Sequence, residues 1–200
     1  MRAVALDRQR IVGEAVALLD ENGLDGLTLR KLAVRLGVQA PTLYWHIRNK
    51  AELINALADE ILREPLEVME NPKDRQPWRE WLIGVALSQR RAMLAHPDGA
   101  RVVAAAHLSP TLAALSERTM RALVDSGLPL REARLTVLVT QKFTLGHVLE
   151  EQAPPPETDG FDLDAFTERH PTIIAGITEY FQDGRTVEDL FRDGLSLILR

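Results

Sequence analysis

Apolar residues recur along this chain every three to four positions, a spacing that gathers them on one face of an α-helix. From Asp7, the residues Ile11, Ala15, Leu18 and Leu19 form such a face on a helix running to about Glu21, which Asn22-Gly23 stops. Gly23 and Gly26 mark a tight connection, and Thr28 starts a second helix whose stripe is Leu29, Leu32, Ala33 and Leu36, ending at Gly37. After a short turn at Val38 and Gln39, Pro41 sits at a first-turn position and opens a third helix to about Arg48. Asn49 is placed to cap a fourth, from Lys50 to about Glu64, with Leu53, Leu57, Ile61 and Leu62 facing inward.

A polar break at 71–77, carrying Pro72 and Pro77, separates these helices from a second series. Helical spacing predicts elements over 78–95, 98–106, 111–126 and a long one over 130–152. The proline-rich stretch 153–160 cannot be helical and is read as a mobile connection. Helices are then expected over 171–183 and 186–199, the last opening on Thr186-Val187-Glu188-Asp189 in the manner of a capping box. No segment has the alternating period of a strand and no repeat is visible, so the fold class expected is all-α.

Composition narrows the chemistry. The chain has 200 residues, 46% of them hydrophobic, which is ample for a core. No run approaches the length of a membrane span, the N-terminal residues do not read as a signal peptide, and the expected location is cytoplasmic. With no cysteine, disulfide scaffolds, thiolate metal sites and cysteine nucleophiles are excluded. The net charge of -5 is unevenly spread: residues 1–50 hold 8 Lys+Arg against 5 Asp+Glu, and the remainder 16 against 24. A basic front and an acidic back suit an N-terminal module that meets a polyanion, because phosphate contacts supply most non-specific nucleic-acid affinity.

Three short helices over 7–48, with a glycine-bearing turn before the third, are the layout of a helix-turn-helix domain. In the third helix Leu43 and Ile47 can pack inward, leaving Thr42, Tyr44, Trp45 and His46 to present hydroxyl, indole and imidazole groups outward. Such groups suit phosphate oxygens and base edges. The competing reading makes Tyr44 and Trp45 partly buried aromatics with wet polar tips.

The strings Leu27-Thr28-Leu29-Arg30-Lys31-Leu32-Ala33, Leu36-Gly37-Val38, Pro41-Thr42-Leu43-Tyr44-Trp45-His46 and Asn49-Lys50 resemble the tetracycline-repressor (TetR) family. A weaker resemblance continues through Trp78, the segment 96–102 and the segments 143–146 and 148–152. It implies a homodimeric repressor with a helix-turn-helix head over 1–49 (motif about 28–47), a connecting helix over 50–64, and a ligand-binding and dimerisation body over 65–200. By the same likeness Arg30 takes the place of a guanine-reading arginine, consistent with bidentate guanidinium geometry, although a solvated surface charge would look the same. Thr28, Pro41, Thr42, Tyr44, Trp45, His46 and Lys50 match positions that hold phosphates or touch bases. The family's adenine-reading glutamine falls at Ala40, with Gln39 one residue earlier, which implies a palindromic operator altered at that step.

The resemblance also assigns dimerisation to helices 130–152 and 186–199. It places a family pocket, which in the namesake takes magnesium and tetracycline through a histidine, a threonine and a glutamate, near Gln89, Val103 and Glu150. Val103 stands at the metal-binding histidine, and Leu66, Val85 and Gln89 at neighbouring polar positions. A lone carboxylate is a poor octahedral magnesium site, so no metal or cofactor is expected, and Glu150 is as well read as a surface carboxylate. Thr136, Thr140, Phe143 and His147 form one stripe of the long helix and are candidate pocket residues for a moderately polar organic effector. His147 is equally an interface histidine.

The expectation is a transcriptional repressor on a double-stranded DNA operator, released by a small organic effector other than magnesium-tetracycline. A constitutive DNA-binding regulator and a tetracycline-responsive repressor are the alternatives. An enzyme is disfavoured by the absence of cysteine, phosphate loops, serine-nucleophile motifs and clustered His and carboxylate residues.

Overall fold

The computed structural model of the chain describes residues 6–73, 75–155, 157 and 159–200. Residues 1–5, Asp74 of the expected 71–77 break, and Pro156 and Thr158 of the 153–160 connection lie outside them. Every regular element among the described residues is a helix, and the chain divides into one packed unit up to Gln152 and a second from Ala153.

In the first unit α1 (Arg8–Gly26) is capped by Asp7, whose carboxylate accepts the Arg10 N–H at 2.8 Å. It buries Ile11, Ala15, Leu18 and Leu19, the expected face, each large side chain worth about 1–3 kcal/mol of removed apolar surface. The helix does not end at Asn22-Gly23. Gly23 takes φ 67, a left-handed value that kinks the axis, and a further turn runs to Gly26. The kink frees the Leu24 N–H, which turns to a side chain from another part of the unit.

Next come α2 (Leu29–Leu36), α3 (Ala40–Tyr44) and α4 (Lys50–Ile61). The third helix is shorter than the expected 41–48. Asn49 accepts from the Glu52 N–H and Glu52 accepts from the Arg48 N–H, both at 2.9 Å, so the start of α4 claims the backbone that would have extended α3. The fourth helix also stops early. Pro65 cannot donate to the Ile61 carbonyl and its ring crowds that oxygen, so the chain breaks at Leu62 and restarts as α5 (Arg63–Glu67).

The rest of the unit comprises α6 (Trp78–Leu94), α7 (Gly99–Ala105), α8 (Pro110–Asp125) and α9 (Leu130–Glu151), each within two residues of its expected start and end. Helix α4 packs against α1 on one side and α7 on the other, while α9 packs against α6, α7 and α8. Helix α7 is therefore shared between the N-terminal helices and the α6–α8–α9 layer.

The second unit contains α10 (Leu163–Arg169), α11 (Pro171–Phe181) and α12 (Val187–Ile198). Helix α10 was not expected from the sequence. Asp162 caps it by accepting the Ala165 N–H at 2.9 Å, and the Phe166 ring lies tilted against those of Phe161 and His170, with centroids 5.4 and 4.6 Å away. The capping box of α12 forms as expected between Thr186 and Asp189.

Candidate nucleic-acid interface and internal cavity

The N-terminal helices separate packing residues from presenting ones. Thr28 caps α2 by accepting the Lys31 N–H at 3.1 Å, and Gly37 ends it at φ 69, donating to Ala33 and Val34. This left-handed residue turns the chain sharply toward α3. Gln39 precedes α3 and Pro41 lies in its first turn, where no N–H is needed. Leu43 and Ile47 are buried at 1% and 0% exposure, whereas Tyr44 is half exposed and Trp45 stands 88% in solvent. An indole so placed contributes almost nothing to the core and leaves its ring face and N–H open to whatever meets α3.

Around it Thr28, Arg30, Gln39, Pro41, Thr42 and Lys50 are exposed, and Ala40 and His46 are half-buried. The partly buried reading of Trp45 is thus excluded, and Tyr44 lies between the two. The arginines of α2 differ. Arg35 reaches back to α1, pairing with Glu14 at 2.7 Å and Glu21 at 2.6 Å, and this pairing holds Glu21 below the usual carboxylate range. Arg30 has no hydrogen-bond or ionic partner among the described residues and remains available.

A cluster of polar contacts ties the end of α1 to the turn between α6 and α7. Asp98 accepts the freed Leu24 N–H at 2.8 Å, Arg101 binds both Asp25 oxygens at 3.0 and 3.1 Å, and His96 meets Asp20 at 2.8 Å. The Arg101 hydrogen bonds and charge pull the Asp25 carboxyl below its ordinary value. From the other side Gln152 clamps the same turn, accepting from Ala100 N–H and donating to the Met93 and His96 carbonyls. Gly99 is required there, since a Cβ would lie 2.1 Å from the Met93 oxygen.

Between α6, α7, α8 and α9 lies a cavity of about 560 Å³, within the roughly 300–1,000 Å³ usual for small-molecule sites. Of the residues expected at a pocket, Gln89 and Val103 line it. Thr140, Phe143, His147 and Glu150 do not, nor does Thr136. The expected stripe is rotated: α9 turns Val137, Leu138, Gln141, Thr144 and Leu145 to the cavity instead. Phe143 and His147 stack on each other with centroids 5.7 Å apart, Thr140 is buried, and Glu150 faces solvent.

The neighbouring Glu151 is the largely buried carboxylate. It receives Arg90 of α6 through two bonds of 2.8 and 2.6 Å and lies 3.5 Å from His147. Sequence reading missed this pair because nothing in the order of residues distinguishes Glu150 from Glu151. Their directions differ by the roughly 100° that separates consecutive helical residues.

Two family models match the chain: the tetR family of bacterial regulatory proteins over residues 11–57, and the tetracyclin repressor-like C-terminal domain over 71–200. The chain belongs to the tetR family. The regulator is 35% identical over 198 residues to the tetracycline repressor protein class C of Escherichia coli, covering 97% of this chain and 89% of that one. Among solved structures it is similar to a glutamine-to-alanine variant of TetR from Acinetobacter baumannii AYE in complex with minocycline. That match has TM-score 0.72 and 33% identity, over 96% and 93% of the two chains. It is also similar to BioQ with its double-stranded DNA operator, at TM-score 0.66 and 28% identity over 96% and 99%.

These relatives are transcriptional regulators, and this chain is a DNA-binding regulator of the same family with a helix-turn-helix head and a helical body. Among the described residues no helix is long and apolar enough to cross a membrane.

Proposed function

We propose that the regulator is a cytoplasmic repressor without catalytic activity, which binds a palindromic operator as a homodimer and leaves it when a small organic effector enters the α6–α9 cavity. The observation that carries this reading is the double role of α7. Its Val103 and Ala104, with Ala106 just beyond its end, line the cavity, while Arg101 and the adjoining Asp98 hold the end of α1. An occupant that favours another position of α7 has a short path to the helix-turn-helix. Residues 1–49 are read as the DNA-binding head, 50–64 as the connection and 65–200 as the body.

At the operator, Arg30 is assigned to a guanine. Thr28, Pro41, Thr42, Tyr44, Trp45, His46 and Lys50 are assigned to phosphates and base edges, and Gln39 and Ala40 to the altered step. Dimerisation is assigned to α9 and α12. Each exposes large apolar side chains, Leu130, Leu135 and Val139 on one, Leu190, Leu197 and Ile198 on the other, and a two-fold DNA site needs two linked heads. The effector is read as other than magnesium-tetracycline because an aliphatic Val103 forms the cavity wall and Glu150 points away from it.

The tetracycline-responsive alternative is favoured by the tetracycline-class name of the relative and the minocycline in the neighbour. The deciding experiment is fluorescence anisotropy on a selected palindromic duplex, with compounds added and tetracycline plus magnesium as one arm. Arg30→Ala should weaken binding by about 1–3 kcal/mol and relax discrimination at one base pair. Affinity should fall steeply with salt. Release by tetracycline only with magnesium would establish the alternative, and release by no compound would establish a constitutive binder.

A further inference from the structure

The lining of the cavity is uneven in charge. Its floor is apolar, with Met93, Val103, Leu112, Met120, Val137 and Leu145. Gln89 also lines it, a residue only 8% exposed whose amide has no hydrogen-bond partner among the described residues. Its amide offers a donor and an acceptor that an occupant with a polar group can engage. Ser116 and Gln141, by contrast, already bond to each other at 2.7 Å.

The charged lining residues are Arg134, Lys142 and Glu117, all exposed. Glu117 is neutralised by Arg121 at 2.7 Å, one turn along α8. Arg134 and Lys142, two turns apart on the cavity face of α9, have no ionic partner among the described residues. The mouth therefore carries uncompensated positive charge in a chain whose overall charge is negative, and field lines from such a mouth raise the local concentration of anions.

We infer that the cavity takes an organic anion, with its apolar body among the α6–α9 side chains, a polar group on Gln89 and its acidic group beside Arg134 or Lys142. This rests on the reading of the cavity as the effector site. A neutral molecule of the same shape gains the apolar contacts but not the charge-assisted hydrogen bond.

The test uses two fluorescent probes that share one aromatic body, 8-anilinonaphthalene-1-sulfonate and the uncharged N-phenyl-1-naphthylamine, titrated into the full chain at low salt. The sulfonate should bind about tenfold more tightly than the neutral probe, the low end for a hydrogen bond to a charged group. Arg134→Ala with Lys142→Ala should remove that advantage and leave the neutral probe unchanged. Both substitutions lie at exposed positions and should not alter the melting temperature. Ala113→Trp, at the exposed rim of the cavity, should weaken both probes.

Equal affinity for the two probes, or a sulfonate preference that survives loss of both cations, overturns the inference. So does sulfonate binding unaffected by Ala113→Trp, since the probe then sits elsewhere. Operator binding measured on the same samples separates the two levels. A chain that grips the operator but prefers the neutral probe refutes the anion and keeps the repressor, whereas a chain that ignores every palindrome refutes the repressor itself.

Discussion

The Asp98 carboxylate reaches the backbone N–H of Leu24 at 2.8 Å across 74 positions of sequence. Asp98 sits at φ 60, a left-handed conformation that aspartate tolerates better than most residues, and Gly23 sits at φ 67 beside its target. Two unusual backbone conformations thus meet in one hydrogen bond between the N-terminal helices and the wall of the cavity.

Removing that acceptor leaves the part-buried Leu24 amide unmatched. Asp98→Ala should lower unfolding stability by about 2 kcal/mol, in the range for a hydrogen bond to a charged group. Asp98→Asn, which keeps an oxygen and tolerates the backbone, should lose less than half as much. Denaturant unfolding of both variants checks the order.

The faces of α3 predict opposite phenotypes. Leu43→Ala empties a site of 1% exposure and should cost about 3 kcal/mol. Trp45→Ala removes an 88% exposed indole, should change stability by no more than about 0.5 kcal/mol, and should weaken operator binding about tenfold or more. Thermal melts beside anisotropy titrations separate the two. A Trp45→Ala protein that melts early and binds normally would show that the indole is structural.

The Arg90–Glu151 pair is a further test of burial, with side chains only 8% and 16% exposed. Glu151→Ala takes away the carboxylate that Arg90 meets through two hydrogen bonds and should destabilise by about 3 kcal/mol. Arg90→Met combined with Glu151→Leu removes both charges and should recover most of that loss, because neither charge then has to be held away from water. The comparison is made by denaturant titration, and a double variant no better than the single one refutes the argument.

Acid should loosen the N-terminal helices. Glu21 is held below its ordinary value of 4.5 by Arg35, Asp25 below 3.8 by Arg101, and Glu52 below 4.5 by the Arg48 amide and then Arg8. Carboxyls with lowered folded values contribute stability above their ordinary values and lose it as pH falls through the folded ones. The melting temperature should therefore drop as pH decreases from about 5 to about 3, and should do so less steeply in a Glu21→Gln, Asp25→Asn, Glu52→Gln variant.

Particular residues mark how far the sequence reached. Asn49, Thr28, Gly37 and the Thr186–Asp189 box announce helix ends because a cap is a bond between near neighbours, and each acts as expected. The exposed side of α3 follows for the same reason, since Leu43 and Ile47 are four apart and their burial fixes where Trp45 points. Helix α10 carries a comparable local signal in Asp162, Asp164 and Arg169, but it is only seven residues long and shows no apolar period beside the prolines.

Periodicity could not supply rotation and partner choice. The stripe Thr136, Thr140, Phe143 and His147 is a genuine helix face, yet the cavity opens on the adjacent one because α6, α7 and α8 set the roll of α9. The selection of Glu151 over Glu150 by Arg90, and of Leu24 by Asp98, is of the same kind. The sequence by itself determined where most helices begin and end and which residues α3 presents, because caps, turns and helical spacing are short-range. Only the tertiary structure decided which face of α9 lines the cavity and how α7 joins it to the head, because those depend on packing between segments that the order of residues does not bring together.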